Sequence, residues 1–231
     1  MPVGIIFISL LFMVIGMAVQ FRLKSKFFAY SKIPTGSGLS GKEIAEKMLH
    51  DNGIFDVTVI SVNGFLSDHY DPTKKTVNLS PDVYSGRNIS AAAVAAHECG
   101  HAVQHKNAYS MLMLRSALVP VVQISSNLAQ WVILIGLGLF TFGGGNQIIL
   151  LIGIILFAAS TLFSVVTLPV EFDASARALK WLESSNITSP KEHDKAKDAL
   201  KWAALTYVIA ALASIALLVQ YILIYQGRSR D

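Results

Sequence analysis

A chain of 231 residues has room for one domain of ordinary size or for two small ones. Its composition is 53% hydrophobic and 15% charged, with a mean hydropathy of +0.51, which excludes an ordinary soluble globular protein. The net charge is +4, but the basic residues flank apolar segments and are not interleaved with aromatic ones, so we expect no nucleic-acid partner.

Four segments are long and apolar enough to cross a lipid bilayer, which takes about 20 residues in a helix. They span residues 3–21, 117–142, 148–170 and 203–225, with the limits of the middle two approximate. The first has neither a basic start nor a small-residue cleavage site, which favours an uncleaved anchor over a signal peptide. The sequence therefore predicts an integral membrane protein with about four transmembrane helices.

Lys and Arg are distributed unevenly between the connecting segments. Residues 22–116 and 171–202 hold 11 and 6 of the 19 basic residues, whereas the turn "TFGGGNQ" holds none. The tail holds the remaining two, Arg228 and Arg230. Because basic segments tend to stay in the cytoplasm, we expect a multi-pass protein of the cell membrane with its amino terminus outside.

These boundaries predict five consecutive regions and an α-helical membrane protein that carries a small cytoplasmic α+β insert. The regions are a transmembrane anchor (1–21), the cytoplasmic insert (22–116), a transmembrane helical hairpin (117–170), a cytoplasmic helical segment (171–202), and a final transmembrane helix with a short tail (203–231).

The insert has recognisable local signals. In "SGKEIAEKMLHDNG" we predict a helix that Ser40 and Glu43 close as a capping box and Asn52-Gly53 ends. The segments "DVTVISV", "GFLSDHY" and "KTVNLS" predict three strands, of which the last two are joined by the turn "DPTK". An alanine-rich helix over residues 91–106 follows, with Ser90 as its expected N-cap.

That helix contains His97-Glu98-Cys99-Gly100-His101, which fits the pattern H-E-x-x-H. Residues four apart project from one face of a helix, so both imidazoles can bind one Zn2+ ion at about 2.0–2.1 Å each. Glu98 would then be the general base, and afterwards the general acid, of peptide-bond hydrolysis. The alternative is an amphipathic helix whose histidines have structural partners only. Zinc binding is favoured over this alternative, because the motif lies in a predicted helix, where both histidines project from the same face.

A catalytic zinc ion normally has a third protein ligand, and His105 is one candidate. On a straight helix it would lie about 12 Å along the axis from His97, at 1.5 Å per residue. Because of that distance, His97, His101 and His105 cannot all bind the same ion. A structural role for His105, or one of orienting a metal ligand, is therefore favoured.

Glu171 is the stronger candidate for the third ligand. It follows directly on the third apolar segment, behind Pro169, which indicates a kink or a helix start. A carboxylate at the edge of a membrane is costly and is therefore a functional candidate. The alternative is a structural pair with Arg115 or Arg177, although Arg177 is also spaced to pair with Asp173.

In its combination of motifs the chain resembles the YugP-type neutral zinc metallopeptidases, a family of bacterial membrane proteins. The likeness runs through "GLSGKEIAEKML", "LSDHYDP", "VNLSPDVYSGRNISAAAVAAHECGHAVQH", "LRSALVPV" and "VEFDASARAL". More distantly, the chain is similar to the HtpX-like and CAAX-prenyl-protease-like membrane zincins, in which the glutamate of the second motif is the third zinc ligand. The resemblance implies a zincin-like insert and gives that role to Glu171.

The chain departs from the distant relatives at one position. They usually carry an aspartate four residues after the glutamate, where this chain has Ser175, so that Ser175 or Asp173 would have to take its place. In zincins a strand at the sheet edge before the metal-binding helix typically holds the substrate backbone. The segment "KTVNLS" is placed to do so, and an ordinary sheet strand is an equally good interpretation.

The resemblance implies a zinc metalloendopeptidase that acts on peptides, membrane proteins or their cytoplasmic segments. The alternative is a non-catalytic, metal-binding membrane scaffold or adaptor. Among possible donors to an oxyanion, such as His69 and Arg177, the sequence singles out none.

Overall fold

A computed structural model of the chain describes residues 2–138 and 145–228, with side chains for residues 3–138 and 145–227. Most of the turn "TFGGGNQ" and the end of the second predicted membrane segment lie outside the described residues. The chain divides into two compact units. The first consists of Met1–Ala18, Leu114–Leu168 and Thr206–Asp231, and the second of Val19–Met113 and Pro169–Leu205.

The described residues form seven helices and three short strands. In chain order these are α1 Pro2–Ser31, α2 Gly41–Asp51, β1 Thr58–Ser61, β2 His69–Asp71, β3 Thr76–Leu79, α3 Pro81–Tyr84, α4 Ile89–Lys106, α5 Ser110–Leu137, α6 Gln147–Ser184 and α7 Pro190–Arg228.

Four of the described helices, α1, α5, α6 and α7, are long and apolar enough to cross a membrane. Their number and order agree with the four predicted segments, but each helix is longer than its segment. Helices α6 and α7 run without a break through the predicted boundaries after residues 170 and 202. Pro169 accordingly lies inside α6 and does not start a helix, because a long helix tolerates the loss of one backbone donor.

In the first unit, glycines set the spacing between α5 and α6. A Cβ atom on Gly136 would lie 2.5 Å from the backbone nitrogen of Leu150, and one on Gly153 would lie 2.7 Å from Cγ1 of Ile133. Leu150 and Ile133 are buried together with Ile224 of α7. Small residues at such crossings are typical of helices that pack inside a membrane.

The second unit contains a three-stranded sheet of order β1-β3-β2. Strands β2 and β3 form the predicted antiparallel hairpin, and β1 pairs in parallel with the other side of β3. Because both sides of β3 are occupied, "KTVNLS" is an ordinary central strand, which was one of its two interpretations, and the other interpretation, an edge strand, was wrong. The sheet edges are β1 and β2.

Strand β2 is shorter than the segment "GFLSDHY" predicted. It begins only at His69, because Gly64 and Leu66 have φ values of 122° and 56° and turn the chain before it. Left-handed backbone of this kind cannot continue a strand.

Helix α2 has the predicted capping box. The hydroxyl of Ser40 accepts a hydrogen bond from the backbone N–H of Glu43, and the Glu43 carboxylate accepts one from the backbone N–H of Ser40 at 2.7 Å. Arg87 donates to the same carboxylate at 2.9 Å. Thus α2 is fixed in place at its start, while Ile44 and Met48 on its other face are fully buried in the core.

Helix α4, which carries the H-E-x-x-H motif, begins at Ile89, and its N-cap is Asn88. The side-chain oxygen of Asn88 accepts from the backbone N–H of Ala91 at 3.0 Å. The prediction of Ser90 as the cap was wrong, since Ser90 lies in the first turn and its hydroxyl donates to the Phe27 carbonyl at 2.8 Å. Asn and Ser are about equally good caps, so local preference did not distinguish them.

The capping box makes the stability of this unit depend on pH. Hydrogen bonds from the Ser40 backbone and side chain, together with Arg87, lower the pKa of Glu43 from 4.5 to about 2. A folded-state pKa below the unfolded value stabilises the fold above the unfolded pKa, and this contribution is lost as pH falls toward about 2. We therefore expect Glu43→Ala to unfold more readily than wild type at pH 7, by a margin that shrinks from about pH 4.5 downward.

Thermal unfolding of the protein after its metal has been removed with a chelator, followed by circular dichroism between pH 7 and pH 3, measures this difference in stability. Metal loss then makes no contribution to it. Glu46→Ala is the matched control, because among the described residues Glu46 makes only a loose ion pair with Lys42, at 3.6 Å between exposed side chains. A margin for Glu43→Ala that stays constant over the whole pH range would contradict the explanation.

Candidate metal centre

Helices α4 and α6 come into backbone contact at Gly100. A Cβ atom there would lie 2.6 Å from the carbonyl oxygen of Ala174 and 3.1 Å from its Cα. No side chain larger than hydrogen fits between the two helices at that point. The contact brings the histidine-bearing face of α4 next to the stretch of α6 that carries Glu171.

The structure brings His97, His101 and Glu171 together. One ligand atom from each lies within 4.8 Å of the others. The Nε2 atoms of His97 and His101 are 3.3 and 3.8 Å from Oε2 of Glu171. Glu171 therefore faces the histidines, while the Arg177 of the alternative interpretation pairs with Asp173.

The donor set and its spacing fit zinc. Two atoms bound to one tetrahedral zinc ion at about 2.0–2.1 Å lie about 3.3–3.4 Å apart, close to the two distances in this site. Two imidazoles and one carboxylate also form a typical catalytic zinc site, which leaves the fourth position free. The three side chains are 14%, 10% and 4% exposed, so the centre is largely shielded from water but not sealed.

Glu98 lies next to the first histidine in a buried position. Glu98 is 8% exposed, and desolvation by this burial raises the pKa of its carboxyl group above the usual value. The neighbouring His97 and His101 act in the opposite direction and lower this pKa, but by less. A carboxylate whose pKa is raised is a stronger proton acceptor when ionised. The environment of Glu98 thus suits a general base.

Both histidines are held through their Nδ1 atoms. Ser175 Oγ lies 3.1 Å from Nδ1 of His97, and Gln104 Oε1 lies 3.0 Å from Nδ1 of His101. In each case Nε2 is the atom that faces Glu171. This is the usual arrangement around a metal, in which one ring nitrogen binds the ion and the other is oriented by a hydrogen bond.

Ser175 and Asp173 were the predicted substitutes for the aspartate that the distant relatives usually carry. In the structure both are linked to a histidine of the metal centre. Ser175 contacts His97 directly, whereas Asp173 reaches His101 only through Gln104, whose Nε2 atom donates to Asp173 at 2.8 Å. Gln104 itself was missed. Its position three residues after His101, on the same face of α4, was the available signal.

The other candidate residues have partners elsewhere. The ring of His105 is hydrogen-bonded at Nδ1 to the Tyr70 hydroxyl at 2.9 Å, and within the described residues it is not part of the metal-ligand group. His69 contacts the carbonyl oxygen of Ser67 at 2.8 Å. Arg177 donates two hydrogen bonds to Asp173.

Comparisons with known proteins point to the same chemistry. Residues 5–226 match the model of a family described as "putative neutral zinc metallopeptidase". The chain belongs to this family. A curated relative, "Putative membrane protease YugP" of Bacillus subtilis (strain 168), is 43% identical over 229 residues, which cover 98% of this chain and 100% of the relative. No solved structure matches the chain.

Membership of the neutral zinc metallopeptidases confirms the resemblance inferred from the motifs and makes zinc the metal of this chain. His97, His101 and Glu171 are positioned to bind it. The name of the relative and the four apolar helices both indicate a membrane protein.

The contact at Gly100 leads to a testable prediction. In Gly100→Ala the new methyl group would have to push α6 away from α4, which costs about 1–3 kcal/mol for overpacking and moves Glu171 away from the histidines. We expect a lower unfolding temperature and weaker zinc binding, measured by thermal unfolding and by competition with a chromophoric chelator.

Gly16→Ala is the control for the glycine-to-alanine change, because a Cβ atom at Gly16 of α1 would meet no atom of the described residues within 4 Å. It should bind zinc as wild type does. The close-packing explanation fails if Gly100→Ala keeps both the wild-type unfolding temperature and the wild-type zinc affinity.

Proposed function

We propose that this chain is a multi-pass membrane zinc endopeptidase that hydrolyses peptide bonds in membrane proteins or in their cytoplasmic segments. One observation carries the proposal: three metal-ligating side chains from two helices converge in a shielded centre, with the buried carboxylate of Glu98 beside them. The family match and the name of the relative support it.

Metal binding and proton transfer are carried out by different residues of the chain. His97, His101 and Glu171 hold the zinc ion, which when bound activates water and polarises a carbonyl group. Glu98 accepts the proton of the attacking water and then delivers it to the nitrogen of the leaving amine. The low exposure of the centre strengthens each of these electrostatic interactions.

Glu98 also favours a peptidase over a metal-binding scaffold. A structural zinc site needs ligands but no base. Burial of a carboxylate without a partner is costly, and among the residues that the structure describes the Glu98 carboxylate has no hydrogen bond. Glu98 at 8% exposure is therefore best explained by catalysis.

The orientation in the membrane is part of the proposal. Residues 22–116 and 171–202 hold 17 of the 19 basic residues of the chain, and the positive-inside rule places such segments in the cytoplasm. All the metal-ligating residues belong to these segments, so the active site would act on the cytoplasmic side of the bilayer. A substrate that pairs with the sheet would have to add to β1 or β2, because β3 is central.

Three variants, purified beside wild type, test ligand and base together. Glu98→Gln should keep its zinc and lose at least about 100-fold in kcat, since it removes the proton acceptor. Glu171→Ala should lose zinc and activity together. His105→Asn is the control and should keep both, because His105 pairs with Tyr70 and lies outside the metal-ligand group. Metal analysis and casein proteolysis are the measurements.

Two results would overturn the mechanism. Proteolysis by Glu98→Gln at the wild-type rate would show that Glu98 is not the base. Full zinc content in Glu171→Ala, together with metal loss in His105→Asn, would make His105 the third ligand.

Orientation is tested by cysteine labelling in intact cells. The natural Cys99 is fully buried and is replaced by alanine. In that background Lys74→Cys, an exposed position in the turn before β3, should react with a membrane-impermeant maleimide only after permeabilisation. Ser229→Cys, in the predicted outer tail, should react without it. The reverse pattern would refute the orientation and leave the peptidase proposal untouched.

A further inference from the structure

Gln104 is a fully buried polar residue at the centre of a chain of hydrogen bonds. Its side-chain nitrogen donates to the carbonyl oxygen of Val170 and to Oδ2 of Asp173, both at 2.8 Å. Its side-chain oxygen lies 3.0 Å from Nδ1 of His101. With an exposure of 0%, the amide has no access to water and depends on these partners.

The orientation of the Gln104 amide follows from the chemistry of its partners. A backbone carbonyl and a carboxylate can only accept hydrogen bonds, and Asp173 is in addition paired with Arg177. The atom between Val170 and Asp173 must therefore be the NH2 group, and the oxygen of the amide must face His101. A flipped amide would place oxygen against two acceptors.

The amide in turn determines the protonation of the imidazole. Since Gln104 presents an oxygen, Nδ1 of His101 must carry the proton and donate. The lone pair used for a metal is then on Nε2, which is the atom 3.8 Å from Glu171. Ser175 does not impose this on His97 in the same way, because a hydroxyl group can either donate or accept.

We propose that Gln104 is a positioning residue that fixes His101 for zinc and transmits to it the negative charge of Asp173, a role that rests on the metal centre of the proposed function. Donation to the carboxylate of Asp173 polarises the amide and makes its oxygen a stronger acceptor, since hydrogen bonds in series strengthen one another. A stronger acceptor at Nδ1 makes Nε2 a more basic ligand.

The same residue also ties together the two helices that supply the ligands. Gln104 and His101 belong to α4, whereas Val170 and Asp173 lie on either side of Glu171 in α6. One amide thus orients a ligand of the first helix and holds the backbone beside the ligand of the second. Loss of the amide should disturb both sides of the metal centre.

The test is zinc affinity in a double-mutant cycle, measured by chelator competition without any turnover. Gln104→Met keeps the size of the side chain and removes its hydrogen bonds. It should weaken zinc binding by about 10–100-fold, the range for residues that orient metal-binding histidines. Asp173→Asn should weaken zinc binding in the wild-type background but add nothing in the Gln104→Met background, because its effect passes through Gln104.

Ser175→Ala is the matched control, since its hydroxyl contacts the other histidine. The effects of Asp173→Asn and Ser175→Ala on zinc affinity should multiply, because the two act through different ligands. In the zinc-loaded, 15N-histidine-labelled protein, the ring N–H of His101 should exchange slowly in wild type and in Ser175→Ala, and fast in Gln104→Met.

A swap of the two side chains keeps the proposal testable if Gln104→Met does not fold. In the double variant Gln104→Glu, Asp173→Asn, the new carboxylate at position 104 accepts a hydrogen bond from His101 directly. The new amide at position 173 donates a hydrogen bond to that carboxylate. This variant should bind zinc more tightly than Gln104→Glu alone, which places two carboxylates side by side.

Three results would overturn the role of Gln104. The first is a zinc affinity of Gln104→Met within about twofold of wild type, well short of the range for such residues. The others are an equal effect of Asp173→Asn on zinc affinity in both backgrounds, and a zinc affinity of the double variant no higher than that of Gln104→Glu. Failure of this proposal is distinguishable from failure of the proposed function. A wild-type protein that binds zinc but cleaves nothing would refute only the peptidase, and a peptidase whose zinc affinity ignores Gln104 would refute only this role.

Discussion

The metal centre depends on one steric constraint, the backbone contact between α4 and α6 at Gly100 and Ala174. Only hydrogen fits where the two helices meet. The contact fixes the distance at which α6 passes the histidine face of α4, and Nε2 of His97 lies 3.3 Å from Oε2 of Glu171 as a result. A glycine inside a helix costs roughly 0.5–1 kcal/mol relative to alanine, and here that cost permits the approach that joins the ligands.

Burial then makes hydrogen-bond partners important for two polar groups near this contact, Glu171 and Gln104. Glu171 and Gln104 are 3% and 0% exposed. A buried polar group left without a hydrogen bond costs about 1–3 kcal/mol, whereas a satisfied hydrogen bond contributes about 0.5–1.5 kcal/mol. The network through Asp173 and Arg177 meets this requirement for Gln104. The same bonds leave His101 with one ring orientation, so stability and preorganisation of the ligands have a common source. Zinc would meet ligands that need little rearrangement.

Features that depend on local pattern could be predicted from the sequence. The capping box of Ser40 and Glu43 is a contact between residues three apart, and the histidines of the H-E-x-x-H motif share a helix face by spacing alone. Glu171 needed the resemblance to known zincins as well, because spacing carries no information about which distant helix passes α4. Its environment at the end of an apolar segment made it a candidate, and the structure brings it to the histidines.

The features that were missed depend on contacts distant in the sequence or on choices between equal local preferences. Strand β3 has the composition of an edge or a central strand, and only the parallel pairing with β1 decides between them. Asn88 and Ser90 are both good caps, and the decision comes from the Phe27 carbonyl, which takes the Ser90 hydroxyl. Gln104 is significant only because α6 places two acceptors beside it.

The more distant resemblance implies an aspartate at the position of Ser175, and a serine there changes how charge reaches the centre. A carboxylate at that position would contact a histidine directly, whereas a hydroxyl group supplies a hydrogen bond at 3.1 Å without charge. The negative charge is instead supplied by Asp173 on the same helix, on the side of the other histidine, and reaches the ring through an amide. An amide attenuates the charge but fixes the direction of each hydrogen bond, because its two ends are a donor and an acceptor that cannot exchange roles. Arg177 donates to both oxygens of the same carboxylate, from Nε to Oδ2 and from Nη2 to Oδ1. The charge of Asp173, whose side chain is 29% exposed, is therefore kept close to the zinc site with a partner of opposite charge.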